Sequence, residues 1–200
     1  MFKIARKLAV SGAVDTINEI YRIPFLIKVF FYLFSIGSQK KKSPDYKKPG
    51  EKLCDALEGM GTTFIKLGQF LATRPDIIGE ALTNDLIKLQ DKLPPFQLYE
   101  SKKILKKEIG ENLYKNIIEL SEPIAAASIA QVHIAKINIH NKPTEVAIKI
   151  LRPDIEKEFN EELDALMLFA YVIESLFVKT KRLKLVEVVH LLREITNIEM

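Results

Sequence analysis

Residues 122–149 decide the fold of this 200-residue chain. They read EPIAAASIAQVHIAKINIHNKPTEVAIK, and they contain two runs rich in β-branched residues, 129–137 and 145–151, the second of which continues to Leu151. The segment between the runs carries turn-forming residues, Asn141 and Pro143. Alternating apolar residues on both sides of such a turn predict a β-hairpin.

The second predicted strand places Lys149 on the same face as Ala147. Side chains alternate between the two faces of a strand, so Val146, Ile148 and Ile150 form the opposite, apolar face. Protein kinases use the lysine of a V-A-I-K strand to contact the α- and β-phosphates of ATP, and the alanine leaves space for the adenine ring. The alternative interpretation of Lys149 is a solvated surface lysine.

Four small residues, Ala125, Ala126, Ala127 and Ser128, precede the hairpin. They stand where kinases carry a glycine-rich loop over the phosphates. A loop of small residues that packs closely on another element is the alternative. However, the sequence PIAAASIAQVH, followed by VAIK and by R-P-D at residues 152–154, resembles the UbiB family of atypical kinase-like ATPases.

A second motif, K-L-G-Q at Lys66 to Gln69, extends the resemblance. Residues 51–72 carry an apolar stripe at helical spacing and predict one helix, with Lys66 and Gln69 on the side away from the stripe. Alone, the motif would be an exposed helix face, but K-x-G-Q is a second signature of the same family. The resemblance implies that this helical extension folds over a nucleotide pocket and that Lys66 and Gln69 point into it. Gly68 costs the helix ~1 kcal/mol relative to alanine, which predicts a close approach of another backbone.

The resemblance also implies a glutamate partner for Lys149. In kinases, a glutamate on the helix after the lysine strand pairs with the lysine and orients it. Kinase spacing alone favours Glu162, which lies in E-L-D. The family places its E-x-D motif in a later helix preceded by a V-V segment, which selects Glu199, and the given sequence then ends one residue before the aspartate of that motif. A solvated helix carboxylate is the alternative for either residue. The residues implied as catalytic are Lys149, Lys66, Gln69 and Glu199, and those implied as nucleotide-binding are Ala125, Ala126, Ala127, Ser128, Ala147 and Lys149.

The composition is that of a folded chain, with 48% hydrophobic and 28% charged residues. The single cysteine, Cys54, excludes an internal disulfide and predicts a reducing compartment. The three histidines are scattered, so the sequence predicts no metal site.

The net charge of +4 conceals an asymmetry along the chain. Residues 1–50 contain ten Lys or Arg and three Asp or Glu, whereas residues 51–200 contain twenty and twenty-three. The apolar run at residues 25–36 is too short to span a bilayer and is followed by five lysines, so we expect it to lie at an anionic membrane surface. A buried helix followed by a solvated linker is the alternative. No face of basic residues interleaved with aromatics appears, which argues against a nucleic-acid partner.

The periodicity predicts an α+β fold with a short antiparallel sheet, and the resemblance implies an N-terminal helical extension packed on a truncated protein-kinase-like small lobe. We expect a basic and apolar segment at residues 1–50, the extension with K-x-G-Q at 51–115, and the partial small lobe at 116–200. Helices are predicted at 77–93, at 98–109 with Gly110 as the C-cap, at 155–177 and at 186–200, and the first strand at 116–120.

The resemblance implies an ATPase or atypical kinase that supports ubiquinone biosynthesis at a membrane. Its cofactor would be ATP with Mg. Its partners would be the nucleotide, an anionic membrane and ubiquinone-biosynthesis proteins. It would be located on the cytoplasmic side of a bacterial or mitochondrial membrane. Neither an H-R-D nor a D-F-G motif occurs in the sequence. We therefore expect the front part of such a protein, inactive alone in phosphoryl transfer, with metal ligands outside this chain. A non-catalytic remnant and a membrane-surface helical module that binds partners remain the alternatives.

The alanines of the loop also bear on the substrate. They restrict the positive φ angles that glycines populate and add methyl groups where phosphate oxygens would approach. Together with the K-x-G-Q helix, this restriction favours a small or lipid-like substrate, or ATP hydrolysis, over ordinary protein phosphorylation.

Overall fold

The computed structural model describes residues 2–21, 23–37, 47–89 and 93–200. Its α-helices are α1 Phe2–Ser11, α2 Ala13–Tyr21, α3 Phe25–Ser35, α4 Pro49–Met60, α5 Thr62–Ala72, α6 Pro75–Ile78, α7 Glu80–Leu86, α8 Leu98–Tyr114, α9 Ile155–Leu176 and α10 Leu185–Glu199. A 3₁₀ helix, Val178–Leu183, separates α9 from α10. Strands β1 Ile117–Ala126, β2 Ala130–Ile139 and β3 Lys142–Leu151 form one antiparallel sheet in that order. The predicted α+β class is confirmed.

The chain divides into two compact units. The helical unit comprises residues 1–90 and 158–199, and the sheet unit comprises residues 91–157 with residue 200. Within the described residues, each unit has its own buried apolar clusters, two in the helical unit and two in the sheet unit. The predicted basic run at Lys40, Lys41 and Lys42 lies outside the described residues.

Glycines divide two helices that the sequence predicted as continuous. The predicted helix at 51–72 is α4 and α5, because Gly61 between them has a φ of 98°, a value that side chains disfavour. The predicted helix at 77–93 is likewise divided into α6 and α7 by Gly79, which has a φ of 78°, and α7 ends earlier than predicted, at Leu86. Periodicity identified the apolar faces but not these breaks, because a glycine is compatible with both a helix interior and a turn.

The core of the helical unit forms on both sides of the Gly61 break. Met60 closes α4 and Phe64 lies in the first turn of α5, and both side chains are fully buried. Leu57 and Leu86 complete the centre of this cluster. Because the chain turns at Gly61, the apolar faces of α4 and α5 pack against each other, and both helices pack against α7.

The hairpin of the sheet unit is confirmed, with a tighter turn than the sequence indicated. Strands β2 and β3 pair without a register shift from Ala130 opposite Leu151 to Ile139 opposite Lys142. Only His140 and Asn141 connect them, and both have positive φ, 51° and 63°. Two consecutive residues of this kind make the type I′ turn that suits the strand twist.

Strand β1 and helix α8 differ from their predicted bounds. The strand runs from Ile117 to Ala126, so the first two alanines of the predicted loop belong to it. Gly110 has a φ of 77° as the C-cap prediction requires, but a further helical turn follows as far as Tyr114. Both changes extend elements that pack together, since α8 contacts β1 and contributes Leu105 to the apolar cluster under the sheet.

Cys54 is expected to react slowly with thiol reagents in the folded chain. Its side chain is 8% exposed, and its thiol donates a hydrogen bond to the Asp85 carbonyl oxygen at 3.3 Å. Burial, reinforced by the Glu58 carboxylate, raises the pKa of the thiol to about 11. A pKa of about 11 leaves only about 0.1% thiolate at pH 8.

Labelling by a disulfide reagent at pH 8 should therefore be at least about 100-fold slower in the native chain than in urea. The native rate should keep rising with pH up to about pH 11, the pKa of the thiol. Comparable native and unfolded rates at pH 8 would show that Cys54 is accessible and ionised.

Candidate functional site

Three side chains form a row across the sheet at the level of the predicted site. Val132 on β2 lies opposite Ala125 on β1 and opposite Lys149 on β3. Directly opposed residues point to the same face of a sheet. Lys149 and Ala125 are exposed and Val132 is half-buried. The row therefore brings together a cation, a methyl group and a branched apolar side chain on an accessible face.

The next cross-strand pair continues this surface. Ala147, predicted to leave space for a base, lies opposite Ile134 on β2 and is exposed. The opposite face of the sheet is buried, with Ala135 and Ile150 in the apolar cluster that includes Leu105 of α8. The predicted division of β3 into an apolar face and a Lys149 face is confirmed.

Val132 is a site candidate that the sequence interpretation missed. The kinase loop pattern G-x-G-x-x-G-x-V ends in a valine on the strand after the loop. If Ala125, Ala127 and Ala130 take the three glycine positions, Val132 takes the valine position. This spacing was available in the sequence and would have identified the residue.

The predicted alanine loop is a short turn between β1 and β2. Ala125 and Ala126 end β1, and residues 127–129 connect the strands. The Ala127 N–H donates a hydrogen bond to the Ala130 carbonyl oxygen at 2.8 Å. Ser128 is fully buried, so this segment presents backbone and alanine methyl groups but no exposed serine side chain.

A buried polar network lies under this turn. The Gln131 side chain is fully buried, and its Nε2 lies 2.8 Å from Ser101 Oγ and 3.0 Å from His133 Nε2. Its amide also exchanges two hydrogen bonds with the backbone of Phe96, at 2.9 Å and 3.1 Å. His133 Nδ1 lies 2.8 Å from the Ser121 carbonyl oxygen, so that nitrogen carries the proton and Nε2 accepts. The network fixes the Q-x-H part of the motif to its surroundings.

Lys66 and Glu199 form an ion pair within the helical unit. Lys66 Nζ lies 2.6 Å from Glu199 Oε2, and the lysine side chain is only 11% exposed. Gln69, one turn further along α5, is half-buried. The ion pair therefore joins the first residue of K-x-G-Q to the glutamate that the resemblance selected. The predicted pairing of Glu199 with Lys149, which belongs to the sheet unit, stays a prediction.

Glu162 has a different partner. Its Oε1 lies 2.7 Å from Lys7 Nζ, and the two side chains are 17% and 32% exposed. Lys7 Nζ also lies 5.4 Å from the centre of the Phe64 ring. These contacts anchor α1 on the core of the helical unit, a structural role that kinase spacing alone would not indicate.

Among the described residues, no group of three or more His, Cys, Asp or Glu side chains is close enough to hold a metal ion. The helices of the same part of the chain also lack the combination of length and hydropathy that crossing a bilayer requires.

A groove of about 360 Å³ lies among the N-terminal helices and contains none of the predicted site residues. Val14, Asp15 and Asn18 of α2 line one side, and Lys28 and Phe31 of α3 line the other. The groove borders α3, and no residue of α5, the helix that carries K-x-G-Q, lines it.

Comparison with known proteins gives a consistent result. Residues 88–200 match the model of the ABC1 atypical kinase-like domain. The chain is 36% identical over 178 residues to a protein named probable protein kinase UbiB from Marinobacter nauticus, covering 88% of this chain and 31% of that protein. It is 37% identical over 135 residues to the protein of the same name from Azotobacter vinelandii, covering 67% of this chain and 25% of that one. The chain thus spans about a third or less of these curated relatives. No solved structure matches.

Proposed function

This chain belongs to the UbiB family of ABC1 atypical kinase-like proteins, and from that membership we propose that it carries the nucleotide-binding sheet of an ATPase or atypical kinase that supports ubiquinone biosynthesis. The observation that carries the proposal is the row formed by Ala125, Val132 and Lys149 on the accessible face of the sheet. ATP with Mg is the proposed cofactor. The relatives' additional length would contain the residues that hold the metal.

The row gives each residue a distinct role toward ATP. Lys149 supplies a positive charge for the α- and β-phosphates, the role of the lysine in a V-A-I-K strand. Ala147 and Val132 supply small and branched apolar surface for the base, which is the usual chemistry of a nucleotide pocket. The turn at residues 127–129 lies at the end of β1, where backbone groups would approach the phosphates.

The resemblance assigns Lys66, Gln69 and Glu199 to the same reaction as catalytic residues. Their geometry supports a joint role, because the 2.6 Å ion pair links K-x-G-Q to the E-x-D position. The Coulombic attraction in a half-buried pair is less screened than in water, while desolvation of the two charges offsets part of it. We propose that this pair holds the two motifs in a defined arrangement.

We expect Lys149→Ala to weaken the binding of a fluorescent ATP analogue with Mg²⁺ at least about ten-fold, because hydrogen bonds from a charged donor contribute about 1.5–3 kcal/mol. The matched control is Lys136→Ala. Lys136 is an exposed lysine of the same sheet face, opposite Glu145, and its ammonium pairs with Glu119 at 3.3 Å. The control should leave the affinity unchanged.

A fluorescence titration of the three proteins decides between the functions. Equal affinity of wild type and Lys149→Ala would remove the nucleotide site. A wild type without any signal would favour the alternative, a non-catalytic remnant of such a protein.

We propose a second function, contact with an anionic membrane surface, on one specific observation. Helix α3 exposes a continuous apolar surface, with Phe25 at 76%, Leu26 at 67% and Leu33 at 59% exposure. Exposed apolar patches of this kind mark interaction sites. Because residues 1–50 contain ten Lys or Arg against three acidic residues, an anionic bilayer is the occupant with complementary charge.

Liposome flotation tests this surface. Wild type should float with vesicles that contain anionic phosphatidylglycerol and remain unbound with neutral phosphatidylcholine. Leu26→Ser with Leu33→Ser should abolish flotation, whereas Ile118→Ser, which removes a side chain 59% exposed on β1, should not. Equal flotation of all variants would eliminate α3 as the membrane contact.

A further inference from the structure

Arg152, the first residue of the R-P-D segment after β3, binds the turn that connects β1 to β2. Its Nε and Nη2 both donate to the Ala127 carbonyl oxygen, at 3.1 Å and 2.9 Å. Nη2 also donates to the Pro94 carbonyl oxygen at 3.0 Å. One guanidinium thus joins the turn before β2 to a segment more than 30 residues upstream along the chain.

The backbone of Arg152 holds the same turn from a second point. Its N–H donates to the Ile129 carbonyl oxygen at 2.9 Å. The Ala127 N–H is bonded across the turn to Ala130. Side chain and backbone of Arg152 therefore bind the carbonyl groups of two of the three residues that connect β1 to β2.

Phe96 keeps the guanidinium in place. The Arg152 Cζ lies 5.8 Å from the centre of the Phe96 ring, within the range of a cation–π contact. The Phe96 backbone is bonded in turn to Gln131. Phe96, which is itself held by Gln131, therefore restrains the Arg152 guanidinium.

We propose that Arg152 is a positioning residue that holds the turn at residues 127–129 in its nucleotide-binding conformation. The carbonyl and N–H of a planar trans peptide point in opposite directions. Fixing the Ala127 carbonyl therefore also fixes the direction of the Ser128 N–H. A kinase-type loop acts on phosphates through such backbone groups, so Arg152 sets the geometry of the phosphate contacts without touching the nucleotide. This inference rests on the proposed nucleotide site.

The side-chain chemistry explains why an arginine is required here. The planar guanidinium presents several N–H donors in fixed directions, so it can bind two carbonyl groups together. A lysine ammonium retains the charge but is a single point on a flexible stem. A methionine retains much of the apolar stem and removes every donor.

The test measures nucleotide affinity and local mobility in Arg152→Met, Arg152→Lys and the control Lys136→Met. We expect the Kd of a fluorescent ATP analogue with Mg²⁺ to rise about ten-fold in Arg152→Met and by less in Arg152→Lys. Amide hydrogen exchange of peptides covering residues 125–130 should accelerate in Arg152→Met, while the urea midpoint and the exchange of α4 and α5 stay at wild-type values. The control should match wild type throughout.

Other results would contradict either the role of Arg152 or the nucleotide site itself. Unchanged affinity or unchanged exchange at residues 125–130 in Arg152→Met would overturn the proposal. If Arg152→Met does not fold, the affinity and hydrogen exchange of Arg152→Lys test the proposal instead. Faster exchange across the whole sheet in Arg152→Lys would mean that Arg152 only stabilises the fold. A wild type that does not bind the analogue would refute the nucleotide site itself, which separates that failure from failure of the Arg152 proposal.

Discussion

Replacing Gln131 with leucine is expected to lower the free energy of unfolding by about 3–5 kcal/mol. The side chain is fully buried; its Oε1 accepts from the Phe96 N–H, and the two hydrogens of its Nε2 face three acceptors, the Phe96 carbonyl oxygen, Ser101 Oγ and His133 Nε2. Leucine has a similar size and can serve none of them. Each buried group that loses its partner costs about 1–3 kcal/mol, and partial access of water to the Phe96 backbone reduces the sum.

The effect is large because the polar groups have no simple alternative. Ser101 and His133 are also fully buried. His133 Nδ1 already donates to the Ser121 carbonyl oxygen, so the ring cannot rotate to satisfy Nε2 without losing that bond. A loss of several kcal/mol is a substantial part of the 5–15 kcal/mol that stabilises a typical domain.

Urea unfolding followed by circular dichroism measures this effect, and hydrogen exchange of β2 locates it. The matched control is Gln97→Leu, since Gln97 is exposed and its side chain makes no capping hydrogen bond at the start of α8. The control should change stability by less than about 0.5 kcal/mol. A Gln131→Leu protein as stable as the control would mean that the network contributes nothing.

Local pattern was sufficient to predict the hairpin and the division of its faces. Alternation in 145–151 assigned Ile150 to the apolar face and Lys149 to the opposite face, because a strand has a strict period of two. Both assignments agree with the register and with the burial of Ile150. The short-range chemistry of a β-strand determines these features, so one sequence suffices.

The contacts of Gln131 and Arg152 could not be predicted in this way. Gln131 bonds to Phe96, which lies 35 residues earlier, and Arg152 bonds to Pro94, which lies 58 residues earlier. Periodicity carries no information about which distant carbonyl a side chain reaches. Both residues lie within the motifs that carried the resemblance, so the sequence marked their positions without indicating their partners.

The carboxylates illustrate a different limit. Glu162 and Glu199 are both glutamates on helices after the lysine strand; kinase spacing favours the first, and the resemblance selects the second. In the structure each has its own lysine partner, Lys7 for Glu162 and Lys66 for Glu199. Which lysine is near which carboxylate depends on helix packing rather than on local sequence.

Replacing Gly68 with alanine is expected to destabilise the chain by about 1–2 kcal/mol, although alanine is the better helix former. An added methyl group at position 68 would collide with the Leu89 side chain and would lie 2.8 Å from Leu57 Cδ1. Both leucines are only 5% exposed, so they have little space to move. The sequence interpretation anticipated a close approach of another backbone at this glycine, whereas the structure places two leucine side chains there.

The sign of the change separates this packing role from helix propensity. Gly59→Ala makes the same substitution at an exposed position of the neighbouring helix α4. It should stabilise by up to about 1 kcal/mol, since only the propensity of alanine acts there. Urea unfolding of the two variants should therefore shift the midpoint in opposite directions. If both variants are more stable than wild type, Leu57 and Leu89 move aside at no cost in free energy of unfolding. Gly68 would then not determine how closely the helix carrying Lys66 and Gln69 packs on its neighbours.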